Sequence, residues 1–576
     1  MPRPPSPRSL AVRGLASVLA LVLAACRAPE TLPPAAPARG IVVCVDPVAA
    51  EVGASVLRRG GNAVDAVVAT AFALAVTWPP AGNLGGGGFL LLHDANGSDS
   101  FLDFREVAPR GASETMFLDA NGSIDAAAST ATGLAVGVPG SVRGLEEAWR
   151  RHGSLPWKDL VAPAAALARD GIVVRESLAR SFAKPANRGR LARWPESARV
   201  FGLSGEAGTP RAGDTLVQPD LARTLDAIAA GGADAFHSGP IARLVAEAVR
   251  RGGGVLAEED LAAYRPVWRE PVRGTYRGHA IVSAPPPSSG GTVVVETLNV
   301  IEGFDFAGSS LDAAGTVHRL AEAMRRAYRD RAAYLGDPDA GFEPPARLLE
   351  KSYAARLRGE IREDRATPSA EIAGEIRLAS PAEGEHTTHL TVADASGRFV
   401  SLTTTLNDLF GSGLVAEGTG VLLNDEMDDF NKKRGFTSAK GEIGTEPNLV
   451  APGRRMLSSM APTVVLRGGR VVLALGSPGG RTIPNTVLET IVGYVDFGLA
   501  PRDAVAHGRF HHAWLPDKIV LEKGHLGADA RADLVRRGHA LDEAKDPQGD
   551  VHAIFWNGSR YEGVADRRID GGVAVE

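Results

Sequence analysis

Thr387-Thr388-His389-Leu390-Thr391-Val392-Ala393-Asp394, continued by Ala395-Ser396-Gly397 and the run Arg398 to Thr405, is the stretch on which the fold turns. Leu390 and Val392 alternate with polar residues, which is the period of a strand. Ala395-Ser396-Gly397 reads as a turn, and Arg398 to Thr405 as the returning strand. The hairpin begins on two threonines. A threonine hydroxyl is a poor nucleophile at neutral pH and needs an adjacent base; the nearest candidate is its own α-amine. That amine exists only if the chain is cut between His386 and Thr387. Once freed, its ordinary pKa of about 7.7–8.0 leaves much of it neutral near pH 7.5, able to take the hydroxyl proton.

Outward from this hairpin, Val464 to Arg467 and Val471 to Leu475 flank Gly468-Gly469, a two-residue hairpin signal. A helix is predicted from Ile483 to Phe497. Toward the N-terminus, Asp46-Pro47 suits an N-cap followed by proline, opening a helix that stops at Gly60-Gly61. A second apolar helix runs from about Ala63 to Val76. Gly82 to Gly88 is a loop with five glycines in seven residues. Phe89 to Leu92 reads as a buried strand paired with Ser100 to Phe104. Two helical hairpins are predicted between Ser141 and Asp170, a mostly helical segment from Leu221 to Arg251, and a long amphipathic helix from Thr316 to Tyr334. Helices, then hairpins, then helices fit sheets covered by helical layers. Length by itself suggests roughly three or four domains.

Several separated motifs occur in one order: Gly60-Gly61-Asn62-Ala63-Val64-Asp65-Ala66, Gly82 to Phe89, Asp103-Phe104-Arg105-Glu106, Thr387-Thr388-His389, Thr405-Leu406-Asn407, Leu422 to Phe430, Leu457 to Thr463, and Gly476-Ser477-Pro478-Gly479-Gly480. Together they resemble the γ-glutamyltranspeptidase family of N-terminal-nucleophile hydrolases, from about Gly40 to the C-terminus. The resemblance implies an α+β fold, the four-layer αββα sandwich. It also implies self-cleavage into a large subunit, 40–386, and a small catalytic subunit, 387–576, held together without covalent links as one unit.

The resemblance further implies roles. Thr387 is the nucleophile and Thr405 orients it. Gly479 and Gly480 supply backbone N–H groups to the developing oxyanion, as glycine-rich turns can. Arg105, Ser458 and Ser459 hold the α-carboxylate of a γ-glutamyl group; a guanidinium fork suits a carboxylate. Asn407, Glu426 and Asp429 hold its α-ammonium. In relatives a lid over this pocket carries a gating tyrosine; here Lys440 falls at that position, which predicts a more open site. The glycine loop Gly85 to Gly88 lacks the Lys-Ser/Thr end of a phosphate loop and reads as close packing. His389, His511 and His512 read as structural histidines.

Composition narrows the partners. Formal net charge is −5 over 576 residues, aromatics are 6%, and no basic block is interleaved with aromatics, which argues against nucleic acid. No metal-ligand spacing and no cofactor motif is found, so neither is expected. Arg3, Arg8 and Arg13 precede the apolar run Leu15 to Ala25, with no acidic residue before Glu30. Residues 1–25 therefore read as a secretory signal, too short to span a bilayer. Leu23-Ala24-Ala25-Cys26 resembles a bacterial lipobox, which implies lipidation at Cys26 and an envelope or periplasmic location. Residues 26–39, rich in proline, read as a tether. Only Cys26 and Cys44 occur, so a lipidated Cys26 leaves no intramolecular disulfide.

Three functions fit. The first is transfer of a γ-glutamyl group from glutathione or other γ-glutamyl amides to water, amino acids or peptides. The second is a related acylase, acting on glutaryl-cephalosporins or poly-γ-glutamate. The third is an uncleaved lipoprotein that binds γ-glutamyl compounds without turnover.

Overall fold

The computed structural model describes residues 1, 36–203, 208–376, 378–379 and 387–576. The proposed signal, Cys26 and His386 lie outside them. Two antiparallel sheets dominate. Their strands, in chain order, are β1 (Ile41–Cys44), β2 (Gly87–His93), β3 (Asp99–Asp103), β4 (Val267–Arg269), β5 (Val272–Tyr276), β6 (His279–Ser283) and β7 (Thr388–Ala393). Then come β8 (Phe399–Thr405), β9 (Thr463–Arg467), β10 (Arg470–Gly476), β11 (His552–Trp556), β12 (Tyr561–Ala565) and β13 (Gly572–Val575). The seven-stranded sheet has the order β13-β1-β7-β8-β2-β3-β4, and the six-stranded sheet β12-β11-β10-β9-β6-β5.

The strand headed by Thr387 is central: β7 pairs with β1 on one side (Cys44 opposite Leu390) and β8 on the other (Leu390 opposite Leu402). Both of its faces are buried. Leu390 and Val392, with Val42, Leu90, Leu92 and Leu402, pack beneath an outer helical layer. That layer contains α1 (Pro47–Arg58), α2 (Ala63–Thr77), α3 (Ser141–His152) and α4 (Trp157–Asp170). Val43, Phe89, Leu91 and Phe399 face the other way, into a core shared with Val464, Leu473 and Ile554 of the second sheet. The second sheet is covered by α5 (Gly290–Ile301), α6 (Ala314–Tyr334) and α7 (Ile483–Val495). The architecture is helix, sheet, sheet, helix.

Local chemistry explains several element ends. Asp46 Oδ1 accepts from the amides of Val48 and Ala49 at 3.0 Å each, capping α1. Asn62 and Asp65 form a reciprocal box at the start of α2. Gly468 and Gly469, both at positive φ, close the β9–β10 hairpin.

Three expectations need correction. The several domains that length suggests are not present as separate cores, because β1, β7 and β13 are neighbours in one sheet although they come from distant parts of the chain. Between Ser141 and Asp170 there is a single pair of helices, α3 and α4, not two hairpins, since Pro156 falls at their junction and Pro163 sits inside α4. Helix α6 has the expected apolar stripe, through Val317, Leu320, Ala321 and Met324, but its polar face is largely buried rather than solvated. It buries Glu322, Arg325, Arg326 and Asp330, whose charges pair internally: Arg326 with Glu322 at 2.7 Å and Arg325 with Glu322 at 3.2 Å.

Candidate active site

Thr387 stands at the mouth of the gap between the sheets and is nearly buried. Its hydroxyl donates to Thr405 Oγ1 at 3.4 Å, and Thr405 Oγ1 accepts the Asn407 amide at 2.8 Å. Asn407 has φ +77, and its Nδ2 donates to Asp425 O at 3.1 Å. Thr405 ends β8 one residue beyond the register pair Thr388–Thr404, so strand pairing itself brings the two hydroxyls together.

The glycine loop explains how β8 is held there. A Cβ on Gly86 would stand 2.0 Å from Thr405 O, so only glycine allows this approach. Asn83 Nδ2 reaches Thr404 Oγ1 (3.0 Å) and Thr405 O (2.9 Å), while Asn424 Nδ2 reaches Gly85 O at 2.7 Å. Asn424 Oδ1 in turn accepts the Glu426 amide at 3.0 Å. The loop thus ties β8, which pairs with the strand headed by Thr387, to the turn bearing Glu426 and Asp429.

Two spaces meet at Thr387. The first is a small polar pocket of about 40 Å³, lined by Arg105, Arg331, Thr405, Asn407, Glu426, Asp429, Asn431, Asn448, Ser458, Ser459 and Gly480, among others. The second is a groove of about 740 Å³ that also touches Thr388, Lys440, Gly479, Arg481 and His511.

Within the pocket Arg105 is fully buried. Its two terminal nitrogens donate to Glu426 and Asp429, and its Nε to Met456 O at 3.3 Å; Glu106 lies 3.8 Å away. Burial works against charge on the guanidinium, but Glu426 and Asp429 outweigh it and keep it protonated. Three carboxylates around this cation form an acid-rich cluster. Burial pushes Glu426 well above the usual carboxylate range and Glu106 to about 8, against the pull of Arg105. Glu426 Oε2 has no hydrogen-bond partner among the described residues. A buried, unpaired carboxylate oxygen is an acceptor suited to an ammonium.

Across the pocket Ser459 Oγ accepts from Arg331 at 3.3 Å, and Arg331 Nε donates to Ser289 Oγ at 2.9 Å. Ser458 is fixed through its backbone: its amide donates to Pro287 O, and its carbonyl accepts from Ser289 N, both at 2.8 Å. Arg331 and Ser289 escape the sequence reading. Arg331 looks like the polar face of α6, and only the run Ser288-Ser289-Gly290-Gly291 after three prolines hints at a functional turn.

Gly479 and Gly480 adopt φ +129 and +52. The Gly479 carbonyl accepts from Thr482 N (2.9 Å) and Thr482 Oγ1 (2.8 Å). In a trans peptide the Gly480 N–H then points away from Thr482. The segment 431–456 is pinned by Asn431 to Thr445 O (2.7 Å) and Arg481 to Gly441 O (2.9 Å), and Lys440 is exposed at the rim of the groove. His389 is satisfied by Thr403 (2.8 Å) and Thr391 (3.0 Å), and burial holds it well below the usual imidazole range. His511 contacts Asn485, and His512 accepts from Trp514 N at 3.1 Å.

A four-layer sandwich with a threonine at the head of a central strand, opening between its sheets, defines an N-terminal-nucleophile hydrolase. Comparison with known proteins agrees. The family model described as Gamma-glutamyltranspeptidase matches residues 49–576. The glutathione hydrolase proenzyme of Escherichia coli is 43% identical over 572 residues, covering 96% of this chain and 97% of the relative. A cephalosporin acylase from Bacillus halodurans superposes with a TM-score of 0.80 at 27% identity, covering 95% of this chain and 98% of that one. A γ-glutamyltranspeptidase chain from Helicobacter pylori is 40% identical with a TM-score of 0.56, covering 61% of this chain and all of that chain. The chain belongs to the γ-glutamyltranspeptidase family.

Proposed function

We propose that the protein is a γ-glutamyltransferase and glutathione hydrolase that matures by cutting itself before Thr387. In the precursor the Thr387 hydroxyl attacks the carbonyl of His386, and water hydrolyses the resulting ester, yielding as partners a large fragment that ends at His386 and the small fragment 387–576. The freed α-amine then accepts the hydroxyl proton as Thr387 attacks the donor's γ-carbonyl. The Gly479–Gly480 turn stabilises the oxyanion, and the amine returns the proton to the leaving group. A γ-glutamyl-threonine ester remains, which water or the amine of an acceptor resolves.

The observation that carries this reading is the junction at Thr387. A pocket with paired cations and carboxylates suits a zwitterionic glutamyl head, and a wide groove on the other side suits leaving group and acceptor. In the ligand-free pocket Arg105 spans Glu426 and Asp429. An entering α-carboxylate takes part of the guanidinium, and the α-ammonium takes the carboxylates so released. The test is a denaturing gel with a turnover assay. Mature protein should give two bands in place of one 60.1 kDa chain, and Thr387→Ala one band with no release of nitroaniline from γ-glutamyl-4-nitroanilide. An active single chain would overturn the mechanism, and an inactive single chain would leave the non-catalytic binding reading.

The breadth of the groove and the exposed Lys440 in place of a sealing aromatic support a second reading, acylase action on glutaryl or polymeric γ-glutamyl substrates. Glu426 and Asp429 favour the amino-bearing donor. The sequence of residues 1–39 supports export and a lipid anchor at Cys26; metabolic labelling with palmitate, lost in Cys26→Ser, tests it.

A further inference from the structure

Asp312, His507 and His525 converge outside the residues that line the pocket and groove at Thr387, and their ligand atoms all lie within 4.8 Å of one another. Asp312 precedes α6, His507 follows the short helix Pro501–Ala506, and His525 follows the strand Ile519–Leu521. Asp312 Oδ1 is 3.2 Å from His507 Nε2 and 2.7 Å from His525 Nε2. The opposite ring nitrogens are already committed: His507 Nδ1 faces Gly508 O at 2.7 Å, and His525 Nδ1 faces Arg509 O at 3.1 Å. A carbonyl can only accept, so each Nδ1 carries a hydrogen. In the neutral rings both Nε2 lone pairs then point at one carboxylate oxygen. Three acceptors facing each other are reconciled either by protons on the imidazoles or by a metal cation among them. The main chain is braced as well, because Arg568 donates to His507 O and Arg531 to His525 O, both at 2.8 Å.

We propose that Asp312, His507 and His525 bind a divalent transition metal, with Zn²⁺ the best fit. Two imidazoles and one carboxylate suit zinc better than calcium or magnesium, which prefer all-oxygen shells. Carbonyls on the distal imidazole nitrogens are the usual orienting contacts of histidine ligands. Zinc bonds of about 2.0–2.2 Å place tetrahedral ligand atoms roughly 3.3–3.5 Å apart, so Asp312 Oδ1 must draw back from His525 Nε2 at 2.7 Å, and the two imidazoles must settle to that spacing, as the ion enters. Water completes the shell. The sequence carried no such signature because the ligands come from three separated loops. Asp312 lies in 40–386 and both histidines in 387–576, so on the cleavage proposed above the metal clips together two fragments with no disulfide between them.

The test uses full-length protein stripped with a chelator and titrated with ZnCl₂ against a chromophoric competitor, with metal content read by mass spectrometry. One equivalent of zinc should bind, with Tm rising by about 2 °C at a hundredfold excess over Kd. Asp312→Asn and His507→Gln should each weaken uptake at least tenfold and abolish the Tm rise, with γ-glutamyl turnover at saturating donor unchanged. Thr387→Ala, a single chain on the reading above, should take up the same equivalent, which separates the metal site from the cleavage. No uptake by the parent protein, or equal uptake by both ligand variants, overturns the proposal and leaves a protonated His–Asp–His cluster.

Discussion

Replacing Arg105 with lysine keeps the pocket's charge and removes its geometry. The guanidinium serves Glu426, Asp429 and Met456 O from three separate nitrogens, while fully buried. A single ammonium cannot reach all three, nor grip a carboxylate with two parallel bonds. One lost charge-assisted hydrogen bond is worth about 1.5–3 kcal/mol, so kcat/KM for γ-glutamyl-4-nitroanilide should fall about 10- to 150-fold. The α-carboxylate is remote from the scissile amide, so the loss should fall mainly on KM. Glutaryl-4-nitroanilide is the internal control. It has the carboxylate and lacks the ammonium, so both substrates should fall in parallel and their ratio should hold. A loss confined to the γ-glutamyl substrate, or a change of less than threefold in both, would refute the assignment of Arg105 to the carboxylate.

Asp429→Asn should do the reverse, cutting kcat/KM for the γ-glutamyl donor at least tenfold while barely changing the glutaryl analogue, measured by the same nitroaniline release. Thr405→Val removes the hydroxyl that contacts Thr387 and the Asn407 amide; kcat should drop about 2- to 12-fold with KM nearly constant, the weight of one neutral orienting hydrogen bond of about 0.5–1.5 kcal/mol. Glu106 titrates near 8 in the folded protein, because burial outweighs Arg105. Unfolded, it releases its proton near 4.5. Between those values the folded state holds more protons, so stability falls as pH rises, by at most roughly 5 kcal/mol. Chemical denaturation of Glu106→Gln between pH 5 and pH 8.5 should show a shallower decline than the parent; an identical slope would remove Glu106 as its source.

Much of the fold was legible in the residues. Apolar alternation, Asp46-Pro47, the Asn62–Asp65 box and Gly468-Gly469 mark strands, caps and turns through local physics, which needs only near neighbours. The row of arginines and acids on α6 looks solvated, and length alone misleads on domain number, where the resemblance implies one unit. Those depend on what packs over each surface.

The site divides in the same way. Thr387, Thr405, Arg105, Glu426, Asp429 and the Gly479–Gly480 pair could be singled out because motif order marks each position. Their meeting around Thr387 could not be, since Arg105 and Asp429 are 324 residues apart and touch only when the sandwich closes. Arg331 and the Asp312–His507–His525 cluster carry no local signal, and Ser289 only the hint of its Pro- and Gly-flanked turn. Short-range sterics and hydrogen bonding are written along the chain, so sequence alone determined the elements and the candidate nucleophile. Long-range juxtaposition, the burial that shifts carboxyl pKa values, and the division of space into pocket and groove arise from packing, so only the tertiary structure decided them.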